Sequence, residues 1–259
     1  MKKYYLAIDF GASSGRGIVG SIDKGKLSYE EIHRFPNHPV SVRSTLYWDV
    51  LSLYRELENV LLKAKDYAVV SLSVDTWGVD FGLLDPKGAL LQNPVHYRDN
   101  RTEGAMERVF AKISAGDIYR RTGIERLAFN TLYQLYVAIE KMPTMLAEIE
   151  TFLLMPDLFN YFLTGKKFAE LTITGTTQML DAQTQDWDYP LLDLLGLNGL
   201  RFLEIIPPGT TVGPVLDSVC SRLDIGALNV VAGASHDTQS ALVSVPAIEE
   251  HFLYLSSGT

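Results

Sequence analysis

A single cysteine, Cys220, excludes an internal disulfide and any cysteine-built metal cluster. Such a lone thiol reads as a small buried hydrophobe. Basic residues are in deficit. With 23 Lys and Arg against 31 Asp and Glu the net charge is −8, which argues against a general role on nucleic acid or on a membrane surface, since those use basic patches. Nucleotides stay open, because they need only local donors. Long apolar runs are missing too. The run that opens at Tyr4 is broken by Asp9 and is too short for a signal peptide. No stretch reaches the length of a membrane span, so the expected location is the cytoplasm. There is no Gly-x-x-x-x-Gly-Lys-[Ser/Thr] loop, no zinc-ligand spacing, no serine motif that resembles a nucleophile elbow and no internal repeat.

What is present reads as α/β. Tyr4–Phe10 is a short apolar run closed by Gly11, the pattern of a buried strand ending in a turn. Residues 16–22 and 27–34 read as two more strands, so two hairpins open the chain. Val50, Leu53, Tyr54, Leu57, Val60 and Leu61 share one helical face, with Asp49 placed to cap it. Residues 68–74 follow as a strand expected to be central and parallel. Helices are expected over 101–113, 132–141 and 156–163, the last opened by Pro156 and closed by Gly165. The Thr- and Gln-rich stretch 171–188 yields no assignment. A loop at Pro207, Pro208 and Gly209, a strand over 228–232 and a helix over 235–245 complete the unit. Pro246 reads as a link to a new unit, with 251–255 as its strand.

Gly15, Gly17 and Gly20 match Gly-x-Gly-x-x-Gly. The dinucleotide fingerprint needs a helix directly after the turn, and here another turn arrives at Asp23. The match is accidental. Residues 11–15 read instead as a hairpin turn of small residues, where backbone N–H groups can approach phosphate oxygens. Ser13 and Ser14 add hydroxyls and Arg16 adds charge; the alternative is an ordinary tight turn. Asp9 beside it either holds magnesium, a cation that prefers oxygen ligands and keeps its water, or caps its own turn. Asp75, Trp77 and Asp80, spaced by Gly78 and Gly82, put carboxylates beside an indole. That combination suits a sugar, whose hydroxyls bind acids and whose C–H surface packs on rings; the alternative is a turn with solvated acids. His96, Tyr97, Arg98 and Asp99 form a second polar-aromatic cluster, in which Asp99 can pair with Arg98 or Arg101.

After Gly233, the run Ser235, His236, Asp237 and Thr238 reads as a strand-to-helix turn. A carboxylate there is stabilised as an anion by the helix N-terminus. Phosphoryl transfer asks little more of a base than alignment of the hydroxyl and a late proton transfer. Asp237 is therefore a candidate base, with N-capping as its alternative. His236 either donates to a substrate oxygen or is a satisfied buried histidine.

Taken together, residues 9–16, 75–82, 97–99, 234–238 and 254–259 resemble the ordered motifs of the FGGY carbohydrate kinases and span the whole chain. The resemblance implies a ribonuclease-H-like α/β fold, as in actin, heat-shock chaperones and sugar kinases: a mixed sheet flanked by helices, with a helical insertion. It implies ATP-dependent phosphorylation of a ketose. The forms of the 11–16 turn and of the 235–238 run point to L-rhamnulose, phosphorylated at its 1-hydroxyl. L-fuculose, D-xylulose or a non-catalytic sugar-binding module are the alternatives. By the same resemblance Asp237 is the catalytic base, and Gly82, His236, Asp237 and Thr238 border the ketose. Ala12, Ser13, Ser14, Gly15 and Arg16, with Thr259, hold the phosphates of ATP, and Asp9 sits near Mg2+. Residues 1–245 would form the N-terminal domain and 246–259 the first strand and phosphate turn of a second lobe. Without a separate C-terminal lobe as partner, the chain is expected to show little kinase activity.

Overall fold

The computed structural model describes residues 2–141, 147–249 and 251–256. Its centre is a six-stranded mixed sheet. Strands β1 (Tyr4–Phe10), β2 (Ser14–Asp23) and β3 (Lys26–Pro36) form the two expected antiparallel hairpins. A small hairpin, β4 (Val40–Val42) and β5 (Thr45–Tyr47), leads to helix α1 (Val50–Lys63). Asp49 caps α1, accepting the Ser52 N–H at 3.1 Å. Strand β6 (Val69–Thr76) then lies parallel to β1.

Beyond β6 the chain leaves the sheet. Strand β7 (Phe81–Leu84) precedes the helices α2 (Ala105–Phe110), α3 (Ala115–Thr122) and α4 (Thr131–Lys141) and pairs with β8 (Thr151–Leu154). Helices α5 (Met155–Thr164) and α6 (Leu171–Thr174) follow, separated by β9 (Ala169–Glu170). After α7 (Tyr189–Leu194), β10 (Ile205–Ile206) pairs with β9. The chain returns to the sheet through β11 (Thr210–Pro214), passes helix α8 (Asp217–Leu223) and adds β12 (Asn229–Ala232) parallel to β6. Helix α9 (Asp237–Val243) comes last. The sheet order is β11-β12-β6-β1-β2-β3.

Strand alternation decides which face is packed. Leu6, Ile8 and Phe10 of β1 are buried, and Val19, Gly17 and Gly15 stand opposite them on β2. Helices α1 and α5 cover this face. Phe159 stacks on Phe10 at 4.4 Å, and Phe162 meets Tyr54 edge to face at 5.5 Å. The glycines are needed for close approach: a Cβ on Gly15 would fall 2.2 Å from the Phe35 ring, and one on Gly17 would fall 2.4 Å from Val60.

Three expectations need correction. The single helix over 101–113 is broken, because Gly104 takes φ +70 and divides a 3-10 turn at Asn100–Thr102 from α2. The last helix is shorter than 235–245, since Ser235 and the extended His236 bond to β6 instead. Residues 251–255 form no strand and lie largely in solvent, with no partner strand beside them among the described residues. No helix among the described residues is long and apolar enough to cross a membrane.

Candidate active site

The uncovered face of the sheet is one wall of a long cleft. Asp9 of β1, Arg16 of β2 and Asp75 of β6 all line it. They are neighbours by register, because Asp9 stands opposite Arg16 on one side and Asp75 on the other. Arg16 Nε donates to Asp9 Oδ2 at 2.8 Å. Asp75 is pushed up to about 8, chiefly by burial and then by the charge of Asp9, with Asp237 adding; the Ser240 hydroxyl, 3.2 Å away, pulls the other way. Three acids thus converge on one end of the cleft.

The 11–14 turn forms the rim beside them. Gly11 N–H donates to Ser14 O at 2.9 Å, closing the turn. Asn37, buried at the end of β3, holds it from behind: its Nδ2 donates to Gly11 O at 2.9 Å, and its N–H donates to Ser13 O at 3.0 Å. Ala12, Ser13 and Ser14 line the cleft. The amides of Ala12 and Ser13 donate to no other group among the described residues, which suits a turn able to receive an anion. Gly15 lies behind the rim, buried in β2 against Phe35.

Across the cleft, the chain runs on from β12 through Ser235 to the extended His236, and Asp237 opens α9. The segment is fastened to β6 by the Thr76 N–H, which donates to Ser235 O at 3.0 Å. It is fastened to the insertion by Glu170, whose Oε2 accepts the Ser235 N–H at 3.2 Å. His236, not Asp237, occupies the capping position. Asp237 Oδ1 accepts the Thr238 N–H at 2.6 Å and lies 3.4 Å from His236 Nε2. The Asp237 side chain keeps 37% of its surface exposed, so the carboxylate is fixed yet reachable. Burial lowers the His236 pKa, against the charges of Asp237 and Glu170. His236, Asp237 and Thr238 all line the cleft.

The expected 75–82 cluster divides. Trp77 and Gly78 line the cleft beside Asp75. Gly82 does not: it is buried in β7 opposite Leu153, and a Cβ there would meet Leu158 at 2.8 Å. Asp80 is neither solvated nor in the cleft. It is buried behind the wall and accepts the indole N–H groups of Trp48 at 2.6 Å and Trp77 at 3.1 Å. Asp99 pairs with neither arginine side chain; it accepts the backbone N–H of Arg101 and of Leu46, each at 2.8 Å. Thr259 lies outside the described residues. One cleft thus gathers Asp9, Ala12, Ser13, Ser14, Arg16, His236, Asp237 and Thr238. Sequence reasoning missed Asn37 and Glu170, which act from behind the wall.

A phosphate-friendly turn, converging acids and an accessible carboxylate at a helix start now lie in one cleft over this sheet. Residues 4–244 match the FGGY family of carbohydrate kinases, N-terminal domain. The chain belongs to the FGGY family of carbohydrate kinases. It is 42% identical over 261 residues to a rhamnulokinase of Bacteroides thetaiotaomicron, covering 100% of this chain and 54% of that protein. It is equally similar, at 42%, to a rhamnulokinase of Oceanobacillus iheyensis, 55% of which is covered. The chain spans about half the length of these curated relatives. Among solved structures, a gluconate kinase from Lactobacillus acidophilus superposes with a TM-score of 0.82 at 19% identity, over 92% of this chain and 48% of that one. A xylulose kinase from the same organism gives 0.82 at 19%, over 93% and 49%. These two share the fold, which is the mixed-sheet sugar-kinase fold that the resemblance implied.

The acids of this FGGY domain also bear on a metal. Among the described residues no three His, Cys, Asp or Glu side chains stand close enough to hold an ion by themselves. Mg2+ seldom asks for such a cage, since it takes one or two carboxylates and fills its sphere with water and phosphate oxygens. Asp9 and Asp75, side by side beneath the turn, fit that pattern.

Proposed function

We propose that this chain carries the ketose site and part of the ATP phosphate site of a kinase that phosphorylates L-rhamnulose at its 1-hydroxyl. The carrying observation is the position of Asp237, accessible at the start of α9, in the same cleft as the 11–14 turn. The similarity to rhamnulokinases over the whole chain supports the choice of sugar. The reaction belongs in the cytoplasm, where ATP is supplied.

Each residue then has a role. Asp237 orients the 1-hydroxyl and accepts its proton as the new oxygen–phosphorus bond forms. Its oxygen Oδ1 is already engaged by Thr238, which fixes the carboxylate and leaves Oδ2 for the substrate. His236 and Thr238 border the sugar, with Gly78 lining the same cleft. The amides of Ala12 and Ser13, the Ser13 and Ser14 hydroxyls and Arg16 receive phosphate oxygens, and Thr259 would add to them. Asp9, with Asp75 beside it, would hold Mg2+, which when bound neutralises phosphate charge. Residues 1–245 act as the N-terminal domain, and a second lobe would complete the ATP contacts.

Calorimetric titration of the chain with L-rhamnulose, L-fuculose and D-xylulose tests this reading. L-rhamnulose should bind selectively. Asp237→Asn should weaken it roughly tenfold or more, the usual scale for a hydrogen bond to a charged group. Equal binding of all three ketoses, or of none, would sink the reading.

A further inference from the structure

Val79 is the strained point of the cleft wall. Its φ is +66, a region that β-branched side chains almost never enter. The surroundings enforce it. The Val79 N–H donates to Thr176 Oγ1 at 3.0 Å, and the Val79 carbonyl accepts from Thr131 Oγ1 at 2.7 Å. The next residue, Asp80, is pinned by the two indoles. Glycine would take this backbone conformation without strain, and the chain has glycine at the adjacent position, Gly78. What glycine would not supply is the isopropyl group. Strain held by so many partners points to a use for the side chain that requires it.

The surroundings show what that use is. Val79 lines the cleft together with Ile124, Leu127 and Phe129. The Phe129 ring packs 5.7 Å from Tyr97, which lines the same wall. These side chains put apolar surface on the cleft wall, beside the polar groups of the 11–14 turn and of 236–238. L-rhamnulose is a 6-deoxyketose: one end carries the hydroxyl to be phosphorylated and the other ends in a methyl group. We propose that Val79 contacts that methyl end and sets a preference for 6-deoxyketoses over their 6-hydroxy counterparts. The inference rests on the ketose reading above.

L-fructose differs from L-rhamnulose only by the 6-hydroxyl, so the pair isolates the contact. Both should be titrated into the chain, Val79→Thr and Val79→Gly. The native chain should prefer L-rhamnulose by roughly tenfold or more, within the range an apolar pocket can give against an added hydroxyl. Val79→Thr keeps the shape and adds a hydroxyl; the preference should shrink at least threefold. Val79→Gly removes the contact, so the preference should fall towards unity. An unchanged preference in either folded variant overturns the role of Val79 and leaves the ketose reading standing. A native chain that binds D-xylulose in preference to both, or binds no ketose, overturns the ketose reading and this assignment with it.

Discussion

Glu170 accepts the backbone N–H of Ser235 at 3.2 Å from a fully buried position, 65 residues away in sequence. The same carboxylate accepts the N–H of Thr172 at 2.9 Å and of Ile173 at 3.1 Å, capping α6. Its desolvation is offset by these donors and by the Thr172 hydroxyl at 2.7 Å. Glu170→Ala would leave several donors buried and unpaired, each costing about 1–3 kcal/mol. Urea unfolding should show a loss of roughly 3 kcal/mol or more. Glu170→Gln keeps one of the two acceptor oxygens, the one that can serve Ile173, Ser235 and the Thr172 hydroxyl, and should recover part of it. Equal losses in both variants would show that a single acceptor oxygen cannot hold this junction.

Two buried groups give opposite pH dependences. His96 stacks on Trp48 at 4.0 Å, and its Nδ1 accepts the Arg98 N–H at 2.9 Å. Burial, helped by Arg98 and opposed by Asp99, lowers its pKa from 6.5 to about 4. The unfolded chain therefore binds this proton first as pH falls, and stability is lost between pH 6.5 and 4. Burial raises Asp80 from 3.8 to about 6, against hydrogen bonds from Trp48, Gln134 and Trp77 and the charge of Arg101. The native state keeps that proton longer, so stability is lost as pH rises from about 4 to 6. Removing one partner exposes the other. Relative to the native chain, Asp80→Asn should gain stability between pH 4.5 and 6.5, and His96→Phe should lose it. Urea midpoints at the two pH values decide this, and changes of the same sign would refute the assignment.

Gly15 makes a sharper packing test than most glycines. A Cβ there would lie 2.2 Å from Phe35 Cζ, and Phe35 is only 3% exposed, so its ring has nowhere to swing. Overpacking of this kind costs about 1–3 kcal/mol. Gly15→Ala should be destabilised by that amount, and Phe35→Leu in the same chain should restore part of it. A double-mutant cycle measures the coupling; strict additivity would mean that the clash is relieved elsewhere.

The sequence disclosed those features that depend on local pattern. Val50 to Leu61 repeat at helical spacing, Tyr4–Phe10 runs apolar into a turn, and Pro156 and Gly165 bracket α5; the structure follows each. The candidate site was legible where its residues sit beside a strand end or at a helix start, as Asp9, the 12–14 turn and Asp237 do. It was not legible where pairing decides. Gly78 and Gly82 are alike in sequence, and only the pairing of β7 with β8 buries the second. Gly104 lies inside the helix expected over 101–113, and its left-handed backbone divides that helix. Asn37 and Glu170 reach across 26 and 65 residues, and no local spacing predicts such partners.

Asn37 offers the most direct test of how the phosphate turn is held. Its Nδ2 bond to Gly11 O, at 2.9 Å, ties the turn to the end of β3. The backbone bond from Asn37 N–H to Ser13 O survives substitution, so Asn37→Ala removes one of two fastenings. The lost side-chain bond should cost about 1 kcal/mol of stability. Its local effect should be larger than its global one, because the turn can open without unfolding the sheet. Hydrogen exchange at Gly11, whose N–H bonds Ser14 O, should quicken in Asn37→Ala, while β1 amides such as Ile8 keep their native rates. Asn37→Asp keeps an oxygen but loses the donor, and should loosen the turn just as much. Native exchange at Gly11 in both variants would mean that the Ser13 bond alone holds the turn.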